Sequence, residues 1–167
     1  MSRADLKREV LRGIFQGAAP RYQIANLTVG AVMTPHPFAV SPGQSARELV
    51  QLFHEKRFRH FLVSDAGKLV GVISDRDVIR LYGVCDTLEP DYLEKVTAAE
   101  LMSTDLICTS STAPLAQAVS QIVDQGIHCL PVVEDGAAIG ILTSTDIFLS
   151  LEQLLLCALR REEVASV

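Results

Sequence analysis

Gly71-Val72-Ile73-Ser74-Asp75-Arg76-Asp77 and Gly140-Ile141-Leu142-Thr143-Ser144-Thr145-Asp146 write one seven-residue pattern twice, 69 residues apart. Each runs glycine, two β-formers, a hydroxyl residue, two variable residues and an aspartate. That order predicts a strand turning directly into a helix. The chemistry lies at the junction. A hydroxyl beside a helix N-terminus can hold phosphate, because the first-turn amides point at the ligand. A carboxylate one turn on can accept charge-assisted hydrogen bonds from a ribose diol. The helix dipole alone favours a first-turn carboxylate. It does not account for a hydroxyl three residues earlier in both copies. Two copies predict two such sites, or one site and its decayed twin.

The match extends outward without a gap from Leu27 to Leu151. Thr28 falls on Thr97, Met33 on Met102, Ser41 on Ser110, Val50 on Val119, Val63 on Val132 and Gly67 on Gly136. Only 8 of 56 aligned pairs are identical, so the apolar pattern carries the case: Phe53 meets Ile122, Phe61 meets Leu130 and Val72 meets Ile141. Two repeats are too few for a solenoid. A 56-residue unit is marginal for a core of its own. The copies are therefore expected to pack as a pseudo-twofold pair.

The chain has 167 residues, 49% of them apolar, and a formal net charge of −5. The negative balance opposes nucleic-acid binding. No signal-peptide or lipidation pattern stands at the N-terminus. No 18-residue apolar run exists; Ile147 to Leu159 comes nearest and is broken by Glu152 and Gln153. Cys85, Cys108, Cys129 and Cys157 lack CxxC or zinc spacing, which predicts reduced thiols in a cytoplasmic protein. His36, His54, His60 and His128 form no metal-binding pattern, so no metal site is expected. Catalytic signatures are missing too: no Walker A loop, no nucleophile elbow, no carboxylate pair with acid–base logic.

Along the chain, residues 1–26 read as an amphipathic helix with a linker. Leu6, Val10, Leu11 and Ile14 make the helix's apolar stripe, and Gly17 to Pro20 break it. The first repeat occupies 27–82, an acidic linker 83–95, the second repeat 96–151 and a helical extension 152–167. Within each repeat the predicted order is β-α-β-β-α. Ser45 and Glu48 form a capping box for the first helix, and Pro114 opens its twin. Asp65-Ala66-Gly67 and Glu134-Asp135-Gly136 carry hairpin-turn chemistry.

These features resemble the CBS domain, the cystathionine β-synthase-like module, present as a tandem pair or Bateman module. The resemblance rests on Val32-Met33-Thr34, Leu101-Met102-Ser103, Leu130-Pro131-Val132-Val133 and the two Gly-x-x-Ser/Thr-x-x-Asp phrases. It implies an α/β (α+β) fold with clefts that take AMP, ADP or ATP. By position, Ser74 and Asp77 would serve one cleft, and Thr143 and Asp146 the other. Arg59, His60 and His128 stand where the family places basic residues toward phosphate, and Arg76 is a further phosphate candidate. Leu62 in place of the second copy's Pro131, and Cys129 in place of a basic residue, imply unequal sites.

The resulting expectation is a non-catalytic sensor of an adenine nucleotide or related adenosyl ligand. It would signal to an unidentified protein partner by a change in packing. A homodimer is expected through the helices after the two phrases, which carry Val78, Ile79, Leu81, Ile147, Phe148, Leu151 and Leu155. The alternative is a dimeric interaction scaffold with vestigial clefts. No membrane contact and no required cofactor are expected.

Overall fold

A computed structural model describes residues 3–16, 26–84 and 91–165. The elements run α1 (Arg3–Gln16), α2 (Val29–Val32), β1 (Thr34–Pro35), β2 (Ala39–Val40), α3 (Ala46–Lys56), β3 (His60–Asp65), β4 (Lys68–Ser74) and α4 (Asp75–Val84). Then come α5 (Tyr92–Lys95), α6 (Ala98–Leu101), α7 (Leu115–Asp124), β5 (Cys129–Glu134), β6 (Ala137–Thr143) and α8 (Ser144–Ala165). The Gly17–Pro20 break, Cys85, and Asp86 and Glu89 of the acidic linker lie outside the described residues.

Local chemistry explains most boundaries. Ser45 caps α3, and the Glu48 carboxylate returns to the Ser45 amide at 2.9 Å, a full capping box. Thr97 and Glu100 do the same for α6. Pro114 sits at the N-cap of α7, one position before the helical first turn expected for it. Gly126, at φ 62°, follows that helix where only glycine enters the left-handed region without cost. Both hairpins place two consecutive residues at positive φ: Ala66 at 47° with Gly67 at 80°, and Asp135 at 51° with Gly136 at 80°. This is the turn whose twist matches paired strands.

The chain clusters into two compact units. One holds His36–Cys108 and Val133–Ile139. Its sheet runs β2-β3-β4, with β2 parallel and β4 antiparallel to β3. Phe61 centres the core, with Phe53 at 4.4 Å between ring centroids and Val40, Leu49, Val63 and Ile73 buried around it. The other unit draws on Met1–Pro35, Thr109–Val132 and Gly140–Val167. It buries Leu11, Val29, Val32, Leu130 and Leu142 completely.

Each unit takes residues from both repeats. β1 pairs antiparallel with β6, Thr34 opposite Ile141. The contact at the twin positions pairs Ser103 with Val72. Each Met-bearing entry thus joins the closing strand of the other copy. A Cβ at Gly71 would collide with Met102, and one at Gly140 with Met33. The exchange therefore explains why glycine and methionine both recur.

Candidate functional site

The repeated phrase forms the same junction twice. At the end of β4, the Ser74 amide and hydroxyl donate to Asp77 Oδ2 at 2.8 and 2.6 Å. At the end of β6, the Thr143 amide and hydroxyl donate to Asp146 Oδ2, each at 2.7 Å. A carboxylate at the third helical position folding back onto the preceding amide is half of a capping box. The hydroxyl three residues before the aspartate thus has a folding role, which dipole reasoning on the sequence overlooked. One oxygen of each aspartate is committed to the cap. Oδ1 is the atom left for other chemistry.

The two Oδ1 atoms meet different surroundings. Asp77 is half-buried, and its Oδ1 faces the exposed Arg80 guanidinium at 3.5 Å. Asp77 also lines a pocket of about 260 Å³ with Arg80, Leu81, Tyr92, Glu100 and Leu101. Hydrogen bonds from the Thr97 amide and hydroxyl hold the Glu100 carboxyl below its ordinary pKa. Two acceptor carboxylates beside one guanidinium and an aromatic ring suit a hydroxyl-rich ligand with a flat apolar part. Asp146, by contrast, is 3% exposed. Its Oδ1 is ion-paired with Lys7 and accepts from the Thr34 hydroxyl at 3.2 Å. The sequence placed Lys7 on the polar face of the first helix and not among the site residues. It precedes the repeat and has no twin, so the repeat could not point to it.

The remaining candidates gather at the same two sheet ends. The Arg59 carbonyl accepts from the Asp75 amide at 3.0 Å, and the Arg59 Nε donates to Asp75 Oδ2 at 3.3 Å. His60 pairs across the sheet with Ser74. Arg76 is exposed on the first turn of α4. At the twin junction the His128 carbonyl accepts from the Ser144 amide at 3.1 Å, while its side chain is exposed. Burial pushes the Cys129 thiol up to about 12, so it stays neutral and offers phosphate no charge. Among the described residues no group of His, Cys, Asp or Glu is placed to hold a metal, and no helix is long and apolar enough to cross a membrane.

Comparison with known proteins fits this architecture. The chain is similar to an uncharacterized protein of Methanopyrus kandleri, 30% identical over 82% of this chain and 68% of that protein. It is 28% identical to part of an inosine-5'-monophosphate dehydrogenase of Nitrosopumilus maritimus, matching 71% of this chain but only 23% of that longer enzyme. Among solved structures it is similar to CBSX2 in complex with AMP, at 29% identity and a TM-score of 0.66 over 76% of this chain and 97% of that one. The model of the CBS domain matches residues 29–83 and 98–153. Two copies covering more than half of the sequence, on a mixed α/β fold shared with CBS-pair structures, place the chain in the CBS domain family.

Proposed function

We propose that this protein is a non-catalytic regulatory module that binds an adenine nucleotide (AMP, ADP, ATP or a related adenosyl ligand). The observation that carries the reading is Asp77. Ser74 fixes one of its oxygens, and the residue lines a pocket whose chemistry suits a ribose and a base. The AMP complex of a similar CBS protein supports the ligand class. Ser74, His60, Arg59 and Arg76 lie around the same junction and would face phosphate. Arg59 would exchange Asp75 for it, since a guanidinium grips phosphate in two places. Thermal unfolding against AMP, ADP, ATP and guanine nucleotides tests the proposal. A ligand that binds only the folded state raises Tm. A rise with adenine nucleotides is expected; no shift with any of them at millimolar concentration would remove it.

Ligand binding would act by biasing the packing that a protein partner in the cytoplasm reads. We further propose a homodimer. Phe148, Leu151, Leu155 and Leu159 on α8 are exposed, as is Ile79 on α4. So large an apolar set is unusual on a monomer. The same surface supports a second reading, an interaction scaffold with vestigial sites, and the occupied Asp146 favours it for one site.

A further inference from the structure

We infer that α1 is a built-in gate on the Asp146 site: Lys7 holds the oxygen a ligand would use, and a ligand needing that oxygen binds only after α1 leaves. This rests on the nucleotide reading above and adds regulation to it. Thr143 commits Oδ2 to the cap at 2.7 Å from both amide and hydroxyl. Lys7 and Thr34 commit Oδ1, and the Lys7 ammonium also lies 3.4 Å from the Thr34 hydroxyl. The carboxylate is 3% exposed, so no acceptor face is left to solvent. α1 packs along α8 and is pinned by more than Lys7. Arg8 Nε pairs with Glu152 Oε2 at 2.8 Å, and Leu11 and Phe15 are 0% and 3% exposed. All these residues belong to one compact unit.

The charge pattern explains why the contact is reversible. A buried carboxylate must be neutralised by a partner or returned to water. With α1 docked, Lys7 supplies the partner. With α1 lifted, water and the hydroxyls of a bound ribose can replace it. Asp77, on the equivalent helix of the other repeat, faces the exposed Arg80 at 3.5 Å and lines an open pocket. The two sites are thus one gated and one ungated copy of the same junction.

Calorimetric titration of AMP into the 167-residue chain tests the gate. Wild type is compared with Lys7→Ala, which removes the ammonium from Oδ1, and with Leu11→Ser, which loosens α1 without touching the site. The expected result is one more AMP site per chain in either variant than in wild type, abolished when Asp146→Asn is added. Equal site number and affinity in wild type and both variants would overturn the gate while leaving the nucleotide reading intact. An added site that survives Asp146→Asn would also overturn it. No AMP binding in any of these proteins would remove the nucleotide reading, and the gate with it.

Discussion

Gly71 and Gly140 recur at matched positions of the two repeats, where a side chain would need room beside the strand. In the structure the space is filled by methionine from the other repeat's entry. The two positions are not equal. At Gly71 an added Cβ would come within 2.8 Å of Met102 Cβ as well as of its Cγ and sulfur, whereas at Gly140 the Met33 sulfur comes as close but its Cγ and Cε lie at 3.2 Å. Overpacking a tight contact costs about 1–3 kcal/mol. Gly71→Ala should therefore lower stability by about that much in urea titration, and Gly140→Ala by less. Equal losses would mean that the methionine backbone positions do not matter. The glycines and methionines were legible in the sequence as repeat marks. Their contact was not, because internal identity says which positions correspond and nothing about which positions touch.

At the scale of elements, capping and turn chemistry made the sequence legible. Ser45 with Glu48, and the Gly67 and Gly136 turns, place their helices and hairpins where expected. The apolar stripe of α1 was legible only in part: Leu11 is buried, but Leu6 and Val10 are exposed, and Phe15, outside the expected stripe, is buried in their place. The docking partner of α1 was not legible, since a stripe says that a face is covered but not by what. The Arg8–Glu152 pair offers a check on that docking. Arg8 holds the Glu152 carboxyl below its ordinary pKa, chiefly through their hydrogen bond. A lowered carboxyl contributes stability that is fully present above its unfolded pKa, about 4.3, and is lost as pH falls through the folded value. Both side chains remain partly exposed to solvent, so the effect is small and local. Hydrogen exchange of the α1 amides, corrected for intrinsic rate, should lose protection as pH falls below about 4.3, and Glu152→Gln should remove that pH step. A step of the same size in Glu152→Gln would assign it to another group.

At the scale of the whole molecule, the tandem repeat and its α/β class followed from the gapless hydrophobic match. The exchange of entries, Thr34 opposite Ile141 and Ser103 opposite Val72, did not. Each candidate site consequently combines residues from both halves of the sequence, which a repeat-by-repeat reading divides. The exposed apolar face of α8 belongs to this scale as well. Phe148 is 68% exposed. If that face joins two copies, light scattering at micromolar concentration should give twice the chain mass, and Phe148→Asp should shift it to the monomer. A wild-type monomer would refute the dimer. The central claim, however, is ligand recognition by the Ser74–Asp77 junction. The most direct measurement is AMP affinity by calorimetry for wild type and Asp77→Ala, with circular dichroism confirming that the variant is folded. Loss of charge-assisted hydrogen bonds of about 1.5–3 kcal/mol predicts saturable binding in wild type, weakened about tenfold to a hundredfold in the variant. Undetectable AMP binding by wild type, or unchanged affinity in folded Asp77→Ala, would contradict the assignment.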